Sequence, residues 1–214
     1  MFRNREEAGR QLAESLMSWK QDPNTIVIGL PRGGIPIGYE VCKALNLPMD
    51  IVYPKKIGAP GNPEFAIGAV TELGEGMISD WATEAGASKK YIEDERKRQS
   101  DIAKERLKKY RKFLPKQNLK GKTVIIVDDG IATGMTLMAA IKSVRSEGAE
   151  KIVVAVPVAP YSALKKFEEL ADEIICLDTP LEFMAVGQFY YDFSQTTDEE
   201  VEEILTSLKS PSQF

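Results

Sequence analysis

Short apolar runs and helical apolar spacings take turns along this chain. Residues 25–30 (T-I-V-I-G-L), 49–54 (M-D-I-V-Y-P), 123–128 (T-V-I-I-V-D), Lys151–Val158 and Glu173–Asp178 are runs of strand length, rich in Ile and Val. Runs that lack polar alternation read as strands buried on both faces. Between them, apolar residues recur every three or four positions. Ala8, Leu12, Leu16 and Trp19 predict an amphipathic helix over 4–20, ended by Asp22-Pro23-Asn24. Further helices are predicted over 35–45, from Leu137 through Ile141 and Val144, over 161–170, and over 197–208 with Thr197 or Asp198 as cap. A long helix over 88–114 has Ser88 as its cap and Pro115 at its end. Residues 57–81 break the rhythm with five glycines and two prolines. There, 64–71 and 77–81 flank Gly74-Glu75-Gly76 and predict a hairpin, preceded by a mobile loop over 58–63. Strands alternating with helices predict an α/β fold with a mainly parallel sheet.

Composition narrows the chemistry. The 214 residues suit a single domain, and the net charge of −4 argues against a chain built to coat nucleic acid or an anionic membrane. No apolar run approaches the 18 residues of a membrane span, and the charged start M-F-R-N-R-E-E has no apolar signal core. Cys42 and Cys176 both lie in apolar patterns and read as buried free thiols, so a cytoplasmic protein is expected. The chain has no histidine. That excludes histidine-bearing triads and metal sites, and leaves any metal to oxygen ligands, which points to Mg²⁺. Between Ser88 and Lys112 stand 11 Lys/Arg against 5 Asp/Glu. A solvated or subunit-facing helix is the reading preferred over a nucleic-acid-binding one.

The most informative stretch is 122–137, K-T-V-I-I-V-D-D-G-I-A-T-G-M-T-L. A strand ends in Asp128 and Asp129. Gly130, Ile131, Ala132, Thr133 and Gly134 follow, and a helix starts near Met135 and Thr136. The glycines permit close backbone approach, while hydroxyls and a helix N-terminus suit a phosphate monoester. The acidic pair would repel that phosphate, but suits vicinal hydroxyls or Mg²⁺. Ribose 5-phosphate joins both features in one molecule. A second strand–loop–helix unit carries Pro31-Arg32-Gly33-Gly34, whose guanidinium and open backbone suit a pyrophosphate. Lys55 and Lys56 end the 49–54 run, and alternation cannot say which of them faces a ligand.

The segment V-I-I-V-D-D-G-I-A-T-G-M-T resembles the phosphoribosyl-diphosphate signature of the type I phosphoribosyltransferases, and the resemblance covers roughly 25–195. The segment K-K-I-G-A-P-G-N-P-E-F-A-I-G-A-V further resembles a bacterial subgroup of that family. The resemblance implies one three-layer Rossmann-like domain over 1–214 with six strands in the order 3-2-1-4-5-6. Strand 3 would be antiparallel and come from the 64–81 hairpin, with a flexible loop within 57–81 and a hood over 181–214. It implies that Gly130–Thr136 hold the 5-phosphate, that Asp128 and Asp129 hold the ribose hydroxyls and, through ligand or water, Mg²⁺, and that Arg32, Gly33, Gly34 and Lys55 or Lys56 meet the diphosphate. Asp128, Asp129 and Lys56 are the candidates for a catalytic role. The implied reaction moves the 5-phosphoribosyl group to a nitrogen acceptor in a homodimeric enzyme; the alternative is a non-catalytic regulatory protein that binds the same ligand. In 6-oxopurine members the position of Ala132 is an aspartate, so hypoxanthine and guanine are not the expected acceptors. The aromatic run 183–193 is a candidate either for stacking on a base or for core or dimer packing.

Overall fold

The computed structural model describes residues 1–208. In chain order its elements are α1 (Arg5–Ser15), β1 (Thr25–Gly29), α2 (Gly34–Leu45), β2 (Met49–Ile51), β3 (Lys55–Ala59), β4 (Asn62–Val70), β5 (Gly76–Ile78), α3 (Lys89–Tyr110), β6 (Thr123–Val127), α4 (Met135–Ser146), β7 (Lys151–Val158), α5 (Tyr161–Leu164), β8 (Glu173–Asp178) and α6 (Asp198–Ser207). Of the expected hood over 181–214, residues 209–214 lie outside the described residues.

Five strands form the central sheet in the order β2-β1-β6-β7-β8, and every adjacent pair is parallel. Alternate side chains feed two separate cores. Val27, Ile125, Val127 and Val153 pack with Leu12, Leu16, Val41 and Leu45 of α1 and α2 and with Val201 and Leu205 of α6. Ile26, Ile28, Val124, Ile126 and Val154 pack with Leu137, Ile141 and Val144 of α4 and with Phe167. A parallel sheet covered on both faces is why its strands read as unbroken apolar runs. Edge strand β2 is short, and the segment following α3 ties it down: Asp50, 2 % exposed, pairs with Arg111 and accepts from the Gln117 backbone N–H at 2.8 Å.

The caps follow sequence. Asn4 Oδ1 accepts from Glu7 N at 3.0 Å, Ser88 Oγ from Tyr91 N at 3.1 Å, and Thr197 forms a reciprocal box with Glu200. The helix expected over 4–20 is α1 followed by a 3₁₀ turn, Met17–Trp19. The one expected over 161–170 is only α5 and a 3₁₀ turn, Lys165–Phe167, in which Phe167 is fully buried. Both cysteines are free; Cys42 is buried and Cys176 half-buried.

The sixth strand is a correction. The hairpin expected to supply an antiparallel strand 3 of the main sheet makes a separate antiparallel sheet, β3-β4-β5. Pro54 has no N–H with which to continue a ladder, and Tyr53 N donates instead to Glu72 Oε2 at 2.9 Å. The chain thus leaves the main sheet before Lys55. The mobile loop expected over 58–63 is also ordered strand. Gly58 and Ala59 end β3, Pro60-Gly61 turns with Gly61 at φ +74°, and β4 begins at Asn62. Proline followed by a glycine of positive φ is the composition of a tight turn.

Candidate active site

β1 and β6 are neighbours in the sheet, and the chain leaves them in opposite lateral directions, toward β2 and toward β7. That is the switch point at which open α/β sheets place ligands beyond the carboxyl ends of their strands. Two loops meet there, 30–33 after β1 and 128–134 after β6. Leu30 N donates to Val127 O at 3.2 Å. A Cβ on Gly33 would stand 2.0 Å from Asp129 Oδ2, and one on Gly34 would stand 2.7 Å from Val127 O. The sequence reading places a diphosphate against the backbone of these two glycines. What the structure shows pressed against them is the acidic loop itself.

The loop after β6 is held from both sides. Ile131 N donates to Val158 O at 2.9 Å, and the side chains of Ile131 and Met135 are buried. Ile131 can therefore offer a ligand little beyond backbone. Gly134 caps α4 at φ +80°, where a Cβ would meet Phe167 at 2.6 Å, so both conformation and space demand glycine. The result is a cavity of about 160 Å³, lined by Lys56, Asp128, Gly130–Gly134, Thr136, Leu137 and Val186. Lys56 lines it and Lys55 does not.

Electrostatically the acidic pair is costly. Burial and the neighbouring Asp129 push Asp128 well above the ordinary carboxylate range. Burial also raises Asp129, against the pull of a guanidinium. That guanidinium is Arg5 of α1, whose Nε donates to Asp129 Oδ2 at 2.8 Å and whose Nη1 donates to Ser194 O at 2.7 Å. It also sits 4.1 Å from the centre of the Phe193 ring. Tyr190 donates its hydroxyl to Asp129 O at 2.6 Å and packs on Phe2 and Phe193. Sequence reasoning missed Arg5. The signal available was indirect: two adjacent half-buried acids call for a cation somewhere. Of the aromatic run, Tyr190 is packing rather than an open stacking face, whereas Tyr191 is 77 % exposed.

Arg32 does not line the 160 Å³ cavity. Its Nη1 stands 3.7 Å from Asp198 Oδ1 at the start of α6. The same carboxylate takes Arg106 Nη1 at 3.0 Å and the Tyr110 hydroxyl at 2.9 Å. Asp198, Arg106 and Tyr110 were not expected near the site.

A loop of small residues and hydroxyls, an acidic pair and a lysine meet at the switch point of a parallel sheet covered by helices on both faces, which defines an α/β domain with a polar cavity at its strand ends. Residues 3–194 match the model of the phosphoribosyl transferase domain family, and the chain belongs to that family. A Mycobacterium tuberculosis protein whose name provisionally calls it a phosphoribosyl transferase is 41 % identical over 211 residues, covering 94 % of this chain and 45 % of its own length. The chain thus spans about half the length of the curated relatives it matches. The crystal structure of TT1426 from Thermus thermophilus superposes with a TM-score of 0.81 at 44 % identity, covering 96 % of this chain and 98 % of that one. AQ2163 from Aquifex aeolicus, at 15 % identity and a TM-score of 0.51 over 92 % and 84 % of the two chains, shares the fold. Among the described residues, no helix is long and apolar enough to cross a membrane.

Proposed function

We propose that the domain transfers the 5-phosphoribosyl group of phosphoribosyl diphosphate to a nitrogen acceptor and releases diphosphate. The observation that carries this reading is the cavity itself: Lys56, Asp128, Gly130–Gly134 and Thr136 line one space. In this reading the loop N–H and hydroxyl groups of 130–136 take the 5-phosphate, and Asp128 and Asp129 take the ribose hydroxyls. Lys56 and Arg32 face the diphosphate. As the bond from the anomeric carbon to diphosphate breaks, positive charge develops on the sugar and the acceptor nitrogen supplies the new bonding pair. The chain's part is positioning and neutralisation of the leaving group rather than covalent chemistry.

Magnesium fits this donor set through the ligand. Among the described residues no three acids cluster as a cage. Asp129 is engaged by Arg5, and Asp128 Oδ1 accepts from Asp129 N at 2.9 Å. Two carboxylates, with the remaining positions left to phosphate and water, suit Mg²⁺. When bound, the ion would neutralise charge on the diphosphate.

Ala132 is exposed on the loop and cannot exchange a proton, so hypoxanthine and guanine are poor acceptors in this reading. Calorimetry with phosphoribosyl diphosphate and Mg²⁺ tests the ligand, and diphosphate release over a panel of nitrogen bases tests the transfer. Tight binding without turnover on any base would favour the non-catalytic alternative. Hypoxanthine turnover near the ordinary rate of about 10 per second would overturn the Ala132 argument.

A further inference from the structure

A second cavity, of about 730 Å³, adjoins the phosphate cradle; Lys56 and Thr133 line both. Its walls come from three places. Glu64, Phe65 and Ala66 belong to β4; Trp81, Glu84 and Ala85 follow the hairpin; Met135 opens α4. Phe65 and Trp81 keep 48 % and 42 % of their surface exposed, although both border a concavity. Large aromatic side chains left half-exposed in the lining of one space mark a surface that a flat ring can cover. The volume lies within the roughly 300–1,000 Å³ typical of small-molecule pockets.

The polar groups then select the ring. Glu64 and Glu84 contribute two carboxylates, which accept hydrogen bonds from N–H groups. Among the described residues, Lys56 is the sole cation lining the cavity, and it is shared with the phosphate side. A ring bearing a carboxylate would meet two like charges against one opposite one. A ring bearing amino groups would find two acceptors and two aromatic faces in the same lining.

We propose that this cavity binds the planar ring of an amino-substituted nitrogen heterocycle, and that it discriminates against carboxylated rings. This deepens the transfer reading above and rests on it for the ring's role as acceptor. No residue of the aromatic run 183–193 lines this cavity, and Tyr190 is committed to Asp129 and to packing.

The test uses the full chain carrying Trp19→Phe, which leaves Trp81 as the only tryptophan reporter. Adenine and 2-aminopyrimidine should quench Trp81 fluorescence saturably; orotate and nicotinate should bind at least tenfold more weakly. The double variant Glu64→Gln/Glu84→Gln should lose about tenfold or more in adenine affinity, the scale of a lost charged hydrogen bond. It should keep its calorimetric affinity for phosphoribosyl diphosphate within about twofold, because neither carboxylate lines the phosphate cradle. Trp81→Ala, read by calorimetry in the otherwise native chain, should also lose the ring. Carboxylated rings binding as tightly as adenine, or unchanged adenine affinity in the double variant, would overturn the assignment. Failure of phosphoribosyl diphosphate itself to bind would instead sink the transfer reading and leave the measured ring site standing.

Discussion

Replacing Arg5 by alanine removes the cation that half-neutralises the acidic pair, and the geometry sets the size of the loss. The Arg5–Asp129 contact is 2.8 Å long between side chains only 11 % and 15 % exposed. A charged hydrogen bond of that kind contributes about 1.5–3 kcal/mol. The exposed contact to Ser194 O adds about 0.5 kcal/mol at most, and the guanidinium over Phe193 about 0.5–1 kcal/mol. A total near 3 kcal/mol is expected, and at about 2–4 °C per kcal/mol for a domain of this size Tm should fall by about 6–12 °C. Scanning calorimetry at neutral pH measures it. A double-mutant cycle with Asp129→Asn should return a coupling of about 0.5–3 kcal/mol. The pH dependence should move as well. Burial has already raised Asp129, and Arg5 opposes that shift, so without Arg5 the carboxyl should take up its proton at higher pH still. A Tm within about 2 °C of the parent, with no coupling to Asp129, would refute the view that α1 holds the acidic loop in place.

Three further substitutions probe the same junction. Asp128→Asn should stabilise the ligand-free chain while weakening phosphoribosyl diphosphate binding. The raised Asp128 pKa means that the folded state holds its proton more tightly than the unfolded one. Parent stability is therefore full at low pH and declines as pH climbs through the window above the ordinary carboxylate value; the variant's Tm advantage should grow as pH rises above about 4, and a shrinking advantage would contradict this. Gly33→Ala sets a methyl 2.0 Å from Asp129 Oδ2, so urea unfolding should show a loss of about 1–3 kcal/mol from overpacking, together with weaker ligand binding. Tyr190→Phe deletes a 2.6 Å hydrogen bond to Asp129 O and should cost about 1 kcal/mol, with no separate effect on the adenine cavity.

What could be read from sequence was whatever the chemistry of a strand end makes local. The runs over 25–30 and 123–128 are adjacent strands, and the glycines and threonines after the second line one cavity. The order of the five parallel strands matches the expected one with strand 3 left out. The hairpin was misplaced because glycine and proline read as loop residues, although Pro60-Gly61 is equally the composition of a tight turn between strands. Lys55 and Lys56 read in sequence as the end of the second strand, whereas they begin β3. Strand register then separates them: Lys56 reaches both cavities and Lys55 neither. No spacing rule could show this before the register was known.

The partners that set the charge of the site were unreadable for a different reason. Arg5 lies 124 positions from Asp129, and Asp198 comes from the last helix to meet Arg32. Each of the two loops thus has its charge opposed from a terminal helix: α1 supplies a cation to the acidic loop, and α6 supplies an anion to the basic one. The Asp198 carboxylate also gathers Arg106, so two guanidiniums converge on one anion beside the loop after β1. Each guanidinium has five N–H donors and spends only part of them there. In the proposed reading, an arriving diphosphate would recruit both arginines without first separating them from Asp198. On this argument Asp198→Asn should weaken diphosphate binding although it removes a negative charge, because two unshielded guanidiniums repel and separate. Stronger diphosphate binding in that variant, measured by calorimetry, would show that Asp198 competes with the ligand rather than arranging its receptors.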